Sequence, residues 1–290
     1  PPSELPHWRR KEYGYGLYSA RYGNIYTTLQ LLQLAREALG VRPPDFISWE
    51  RDGRFIDALR PAIEPSGFRS VSELKAHREH HLRRVQHCLL RMDVLIFTLG
   101  LTEAWRHRPS GRVLPVAPGV LAPEECLDNY EFVNFGYRDN LKYLKRFLRL
   151  VEKHRRGRNP LRVVLTVSPV PITATASDRH VLVANTYSKA VLRAVVEELY
   201  LTIPGLDYVP SFELVTNPKQ VANHYLANWR TVSNAGVLTA MNCFLEQHQD
   251  GCASSINVQE SSSFDPNDSD REAAQAIACE EQLLDSQSAI

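Results

Sequence analysis

The chain has 290 residues, of which 43% are hydrophobic, so we expect one large or two small domains with a sizeable core. No run of about 18 apolar residues occurs, which argues against a membrane span, and the bases are not interleaved with aromatics, which argues against nucleic-acid binding. The five cysteines are odd in number and form no CxxC pair, which disfavours structural zinc and predicts free thiols in a cytoplasmic protein.

The net charge of +1 conceals an asymmetry along the chain. Residues 249–290 hold nine acids and one base, whereas residues 1–248 hold 33 bases and 24 acids. We therefore predict one domain over residues 1–248 and an acidic, disordered tail over residues 249–290, with one short helix from Arg271 to Leu284. The basic surplus of the domain suits an anionic substrate, although such a surplus is more often only a solvated surface.

The first segment with a clear pattern is residues 13–24, which contain four tyrosines and three glycines. Glycine permits backbone angles that other residues avoid, so this composition predicts a loop with a defined shape. The loop lacks a GxGxxG pattern and no strand precedes it, so it is not a phosphate-binding fingerprint. A helix is predicted from near Ile25 to Gly40, with Thr27 or Thr28 as its cap.

A hairpin and a long helix are predicted next. Phe46–Trp49 and Arg54–Ile56 are typical of short strands, and the Asp-Gly pair between them is typical of a hairpin turn. Ser70–Arg91 has the pattern of an amphipathic helix, capped by Ser70 or Ser72. His77 and His81 lie four residues apart on it, a spacing that can bind a metal. No HExxH motif accompanies them, so we favour a solvated basic face and predict no metal.

The central part of the chain predicts a parallel sheet. Asp93–Leu99 is an unbroken apolar run of the kind found in strands buried on both faces. Residues 106–138 contain four prolines and three glycines, which predicts a long excursion of the lid or binding-loop kind. Asp139–Arg155 is predicted as a helix, and the β-branched run Val163–Val167 as a second strand that ends in a polar loop.

The remaining elements complete an alternation of helices and strands. We predict a helix over Val181–Tyr200, a third short strand within Asp207–Glu213, and a last helix over Ser233–Leu245 capped by Ser233. This alternation is typical of a three-layer α/β fold with a parallel sheet, of the flavodoxin-like kind. Such sheets place their chemistry in loops at the carboxyl ends of the strands.

Polar loops at three predicted strand ends are therefore expected to converge, namely residues 100–105, 168–180 and 211–230. In the second loop His180 is the best base candidate, with Asp178 nearby in sequence, but a histidine that caps or packs the start of the helix is at least as probable on these residues alone. His224 is the second base candidate. No GxSxG elbow is present, which excludes the α/β-hydrolase arrangement.

Six stretches, in order along residues 13–245, resemble the GSCFA-domain proteins, bacterial relatives of the SGNH (GDSL-like) hydrolases. They are Tyr13–Thr27, Thr98–Trp105, Leu165–Thr175, Asn185–Arg193, Val209–Val215 and Arg230–Val237. The resemblance implies a flavodoxin-like α/β/α sandwich and esterase or acyltransferase chemistry, plausibly on O-acyl groups of a bacterial glycan or capsular polysaccharide. It also implies that the name motif, which would supply the nucleophilic serine, lies upstream of Tyr13, and hence that the sequence is truncated at its N-terminus.

The resemblance also assigns site residues. Gly23 matches the glycine that helps to build the oxyanion hole of SGNH enzymes, and Thr102 or Glu103 stands where their asparagine donor would be. A hydroxyl can donate a hydrogen bond and a carboxylate cannot, so Thr102 is the better donor candidate. The remaining substrate-binding candidates within the matching stretches are Asn24, Glu103, Trp105, Thr173, Asn185, Lys189 and Arg230.

The sequence departs from the family pattern near its last helix. SGNH enzymes carry an Asp-x-x-His there, and this chain reads Asn228-Trp229-Arg230-Thr231. Either His180 or His224 then supplies the base, in an esterase or acyltransferase that needs no cofactor, or the chain is a catalytically silent module that binds a glycan or a partner. A coenzyme-A-dependent transferase that uses the basic surplus is a third alternative.

Overall fold

The computed structural model describes residues 19–121 and 124–248, together with Pro6, Tyr13 and Tyr15. The predicted acidic tail and its short helix lie outside the described residues. Within them, the α-helices are α1 (Thr28–Ala38), α2 (Val71–Arg91), α3 (Tyr137–His154), α4 (Val181–Thr202), α5 (Ser211–Val215), α6 (Val221–His224) and α7 (Asn234–His248). The strands are β1 (Ser48–Arg51), β2 (Arg54–Asp57), β3 (Val94–Leu99), β4 (Glu103–His107), β5 (Arg112–Leu114), β6 (Tyr130–Asn134), β7 (Arg162–Val167) and β8 (Leu206–Val209).

Helix starts follow the predicted caps. The Thr27 side chain accepts a hydrogen bond from the Gln30 amide at the start of α1, and Ser70 accepts one from the Glu73 amide at the start of α2. Ser233 Oγ accepts one from the Gly236 amide at the start of α7, at 3.2 Å. Each cap satisfies an amide that has no partner within its helix, which fixes where the helix begins.

The main sheet is parallel and has the strand order β3-β7-β8, with helices on its faces. This is the three-layer α/β arrangement that the sequence predicts. Its core includes Val163–Leu165 of β7, Phe147 of α3 and a row along α4, all of which are buried. That row consists of Leu192, Val195, Val196 and Leu199. Burial of these aliphatic side chains is the main favourable contribution to the fold.

The prediction that residues 106–138 form a long loop was wrong. β4, β5 and β6 form a three-stranded antiparallel sheet of order β5-β4-β6, in which Trp105 pairs with Leu114 on one side and Phe132 on the other. The strands of this sheet are short and interrupted by proline-containing turns, so their pairing is not visible as a local pattern. The predicted hairpin is confirmed, since β1 and β2 pair across a turn in which Asp52 and Gly53 both have positive φ.

The prediction that β3 is buried on both faces was also wrong. β3 lies at the edge of the described sheet, and Val94 and Ile96 are 39% and 57% exposed. A cavity of about 350 Å³ lies beside β3 and is lined by residues of the strand together with Gly23, Asn24 and Leu31. The sequence shows the apolar character of this strand but not what covers it.

His77 and His81 are not on a solvated face. His81 is 3% exposed, and its Nδ1 donates to the Ala20 carbonyl at 2.9 Å, while His77 Nδ1 lies 3.2 Å from an Arg60 nitrogen. Burial, and then the charge of Arg60, lower the pKa of His77 to about 4 and that of His81 further, so both rings are neutral near pH 7. The distant residues that enclose them carry no signal in the α2 pattern.

The chain divides into two compact units, and the boundary runs through β7 and β8. The first unit comprises Pro1–Leu165 and Ile172–Tyr208, and the second comprises Thr166–Pro171 and Val209–Ile290. The first unit contains α1–α4 and β1–β6, and a buried Glu37 carboxylate that accepts from both Arg78 and Arg112 ties its helices to β5. The described part of the second unit contains α5, α6 and α7, in which α7 packs on the two shorter helices.

Candidate functional site

The segment that leaves β3, residues Gly100–Glu103, is held in place by hydrogen bonds from two directions. We call it the β3 exit. The amides of Gly100 and Leu101 both donate to the Tyr26 carbonyl, at 3.3 and 3.0 Å. From α4, Ser188 Oγ accepts from the Thr102 amide at 3.1 Å, and Lys189 Nζ donates to the Gly100 carbonyl at 3.0 Å. The β3 exit is therefore positioned before any ligand arrives.

The loop that contains Gly23 and Asn24 lies against the β3 exit through Tyr26. Gln30 of α1 fixes this loop, since its Nε2 donates to the Asn24 carbonyl at 2.8 Å and its Oε1 accepts from the Tyr26 amide at 3.0 Å. Gly23 has φ +68°, which disfavours any residue with a Cβ, although a Cβ would meet no atom closer than 3.9 Å. The conformation of the loop, and not crowding, thus accounts for this glycine.

Thr102, the predicted oxyanion donor, is fully buried. Its amide is already used by Ser188, and its carbonyl accepts from the Phe135 amide at 2.8 Å. Its hydroxyl has no hydrogen-bond partner among the described residues. The hydroxyl is therefore the part of Thr102 that remains available to donate, and a ligand would reach it only if the site opens.

Glu103 is the half-buried acid of the β3 exit. Its Oε1 accepts a hydrogen bond from Thr175 Oγ1 at 2.9 Å, and Thr175 Oγ1 in turn accepts from the Ser177 amide at 3.1 Å. Burial raises the pKa of Glu103, while the Thr175 hydrogen bond and the charge of Arg179 act in the opposite direction. The first and second predicted loops thus meet at this carboxylate, as the strand-end argument expects.

The other substrate-binding candidates of the first unit have mixed surroundings. Asn185 Oδ1 accepts from the Ile172 amide at 3.1 Å, so it anchors the second loop from α4. Trp105 is half-buried and packs edge-to-face on Phe132, with ring centres 6.0 Å apart. Thr173 is exposed. On β4, Glu103 and Trp105 are two residues apart and therefore project from the same face of the strand.

Lys189 is a buried ammonium. It is 2% exposed, and burial alone lowers its pKa to about 8. No charge, positive or negative, contributes to that shift, so the ammonium has no counterion close by among the described residues. Burying an unpaired charge is costly. Among the described residues the ammonium donates to the Gly100 carbonyl, so a shift of the β3 exit would leave the buried charge without this hydrogen bond.

His180 is exposed and is the N-terminal cap of α4. Its Nδ1 accepts a hydrogen bond from the Leu182 amide at 3.2 Å. A ring that accepts at Nδ1 carries its proton on Nε2 when it is neutral, so it must change tautomer, and give up the cap, before Nε2 can accept a proton. The role of His180 as a base stays a prediction, and the capping role is present in the structure.

His224 lies in the second unit and is 4% exposed. Its Nδ1 lies 3.3 Å from the Val215 carbonyl, and its Nε2 lies 3.4 Å from Thr239 Oγ1. It also packs tightly on Gly236, where an added Cβ would lie 2.9 Å from the His224 carbonyl oxygen. Both ring nitrogens are thus engaged within the unit, which is the pattern of a structural histidine.

The four residues at the Asp-x-x-His position also lie in the second unit and form a tight turn, which we call the Asn228 turn. Asn228 Oδ1 accepts from the amides of Arg230 and Thr231, at 3.1 and 2.9 Å. Asn228 Nδ2 donates to Thr231 Oγ1 at 2.9 Å, so the side chains of the first and fourth residues touch. Trp229 at the tip is exposed with φ +54°, and Arg230 is half-buried.

Three residues that position the site were not among the candidates. Ser188, Tyr26 and Gln30 make the contacts that join the β3 exit to α4 and to the Gly23 loop. Ser188 has a signal in the sequence, because Asn185, Ser188 and Lys189 lie at i, i+3 and i+4 and so share one face of a helix. Tyr26 acts through its carbonyl oxygen, which side-chain patterns do not reveal.

The parallel sheet with helices on its faces defines a three-layer α/β protein, and polar side chains follow the carboxyl end of its strand β3. No helix in the described ranges is both long and apolar enough to cross a membrane. Residues 8–244 match the model of the GSCFA family, and the chain belongs to that family. No curated protein and no solved structure matches the chain.

Proposed function

We propose that the protein binds an O-acylated glycan or a similar hydroxyl-rich ligand at the β3 exit and does not turn it over by an SGNH mechanism. The observation that carries the proposal is the Asn228 turn. Asn228 and Thr231 touch through a 2.9 Å hydrogen bond at the two positions where the resemblance expects an acid and a base. Neither an amide nor an aliphatic hydroxyl is basic enough to take up a proton near neutral pH, so the pair cannot act as a general base.

The ligand class is inferred from the groups around the β3 exit. Sugar hydroxyls are good donors to a carboxylate such as Glu103, and Thr175 and Asn185 add hydroxyl and amide groups. Trp105, on the same face of β4 as Glu103, offers an aromatic surface for the apolar face of a sugar ring. A few polar groups beside an aromatic surface are typical of small-molecule sites.

Binding is tested with an O-acetylated xylan oligosaccharide and with the same oligosaccharide after alkaline deacetylation, by isothermal titration calorimetry. We expect Glu103→Gln to weaken binding roughly tenfold, which corresponds to one charge-assisted hydrogen bond. Glu50→Gln, at an exposed position on β1, is the matched control and should leave the affinity unchanged. Failure of both oligosaccharides to bind, or an equal loss in both variants, would contradict the proposal.

The second candidate is an esterase or acyltransferase with His180 as its base, as the resemblance implies. It is favoured by the exposure of His180, and it requires the ring to give up its cap on α4 before Nε2 can accept a proton. Within the described residues β3 is an edge strand, and the cavity beside it borders Gly23 and Asn24, where this proposal places the nucleophile. In this proposal Gly23 and Thr102 donate hydrogen bonds to the oxyanion, and Lys189 fixes the β3 exit through the Gly100 carbonyl.

The two candidates differ in turnover. In protein expressed from the complete gene, the enzymatic candidate predicts release of acetate from the acetylated oligosaccharide, loss of that release in His180→Ala and covalent labelling by a fluorophosphonate. The binding candidate predicts none of these and the same affinity for ligand in His180→Ala.

We also propose a cytoplasmic location, which the free thiols of Cys88 and Cys243 support.

A further inference from the structure

A second surface of the first unit lies away from the β3 exit. It is an open groove of about 760 Å³ between the second half of α3 and the segment that joins α4 to β8. Its apolar lining includes Leu148, Ile203 and Leu206. Leu161 and Val163 also line it, so the groove lies at the amino end of β7, whereas the β3 exit lies at a carboxyl end. The proposed ligand site does not include it.

The rim of the groove is basic. Arg149, Lys153 and Arg156 line it, are exposed and form no ion pair with any acid in the described ranges. Lys145 is the fourth base and is already paired with Glu198 at 2.7 Å, and Glu152 is the one acid in the lining. An apolar floor with an unpaired basic rim fits a segment that carries both apolar and acidic side chains.

The chain itself contains such a segment. Residues 277–285 combine Ile277, Leu283 and Leu284 with Glu280, Glu281 and Asp285, and they contain no base. The 28 residues 249–276 precede them and can extend to roughly 90 Å, so the connection does not limit where this segment binds.

We propose that residues 277–285 of the acidic tail dock in this groove of the same chain. The apolar side chains cover the half-buried Leu148, Leu161 and Ile203, and the carboxylates meet Arg149, Lys153 and Arg156. Because residues 249–290 hold nine acids and one base, the attraction is electrostatic and falls with added salt. A tethered segment binds at a high effective concentration, so a weak contact is sufficient.

The test is carbodiimide cross-linking of the intact 290-residue chain, followed by peptide mass spectrometry. The reagent joins a carboxylate directly to a lysine amine, and Lys153 is the exposed lysine of the groove. We expect links from Glu280, Glu281 or Asp285 to Lys153, with few to Lys142, which is exposed on the same helix outside the groove. A mixture of ¹⁵N-labelled and unlabelled chains shows whether each link lies within one chain.

Charge reversal adds a matched pair of double variants along α3 and the turn that follows it. Arg149→Glu with Arg156→Glu should lower the Lys153 links roughly fivefold, while Arg138→Glu with Arg146→Glu, exposed and outside the groove, should leave them nearly unchanged. Links of mixed isotope would show that a second copy supplies the segment and would overturn the proposal. So would equal linking of Lys142 and Lys153, or no link from residues 277–285.

Discussion

The β3 exit and the Asn228 turn are built in the same way but differ in the chemistry that they hold. In both, side chains bind backbone groups and so fix a short loop. In the β3 exit Ser188 accepts from an amide and Lys189 donates to a carbonyl, and in the Asn228 turn Asn228 accepts from amides. The β3 exit keeps an ionisable group, Glu103, in a half-buried position. In the Asn228 turn the first and fourth side chains are in contact, yet neither can act as a general acid or base near pH 7.

The difference shows that loop geometry and proton chemistry are separable. A hydrogen bond from the Asn228 amide to the Thr231 hydroxyl joins the first and fourth side chains of the turn without an acid or a base. Catalysis requires in addition a pKa near the working pH, which these two side chains lack. Retention of the fold is therefore compatible with loss of turnover, which is the basis of the binding proposal.

The largest expected effect concerns the buried ammonium of the β3 exit. Since the pKa of Lys189 is lowered from 10.5 to about 8, the unfolded chain binds one more proton than the folded one between these values, and stability rises with pH there. The wild type should gain about 3 kcal/mol between about pH 8 and pH 10.5 relative to Lys189→Met. Urea unfolding at the two pH values measures this, and equal pH dependence in both proteins would contradict the isolated-charge account.

A pair of glycine substitutions compares the packing at the start of α7, which follows the Asn228 turn, with the packing of the β3 exit. At Gly236 a Cβ would lie 2.8 Å from Val232 Cγ1 and 2.9 Å from the His224 carbonyl oxygen, whereas at Gly100 the nearest atom is the Tyr26 carbonyl oxygen at 3.3 Å. Gly236→Ala should cost about 1–3 kcal/mol, and Gly100→Ala about 1 kcal/mol or less. Urea unfolding ranks the two, and a larger loss at Gly100 would reverse the comparison.

The smallest expected effect separates geometry from chemistry within the Asn228 turn. Asn228→Ala removes the acceptor of two amides and should cost about 0.5–1.5 kcal/mol. Asn228→Asp keeps the oxygen that accepts from both amides and should change the free energy of unfolding by less than about 0.5 kcal/mol. Thermal unfolding of the two variants checks this, and a loss in Asn228→Asp equal to that in Asn228→Ala would show that the side-chain oxygen does not hold the turn.

Local patterns predicted most of the fold, because the signals lie within a few residues of their effects. The caps at Thr27, Ser70 and Ser233 each accept from the amide three residues on, a spacing that the sequence reveals directly. The β4–β5–β6 sheet and the enclosure of His77 and His81 were not predictable in this way. They depend on pairing and on arginines brought in from distant segments, such as the bond between Arg21 and His77 across 56 residues.

The same distinction applies to the candidate site. The strand-end rule predicted that the loops carrying Glu103 and Thr175 converge, and their hydroxyl–carboxylate bond joins residues 72 apart. The bond between Ser188 and the Thr102 amide spans 86 residues and was not foreseen. For His180 the sequence allowed two roles, a catalytic base and a helix cap. The structure shows the capping role, which depends on local backbone geometry that the sequence does not give.

Turnover by protein expressed from the complete gene is the most direct test of the central proposal, that the chain binds a ligand at the β3 exit and lacks the acid–base pair of an SGNH enzyme. Hydrolysis of 4-methylumbelliferyl acetate is measured for the wild type and for His180→Ala across neutral pH. The account predicts that neither protein exceeds the rate in buffer. Saturable hydrolysis by the wild type that is lost in His180→Ala would contradict it.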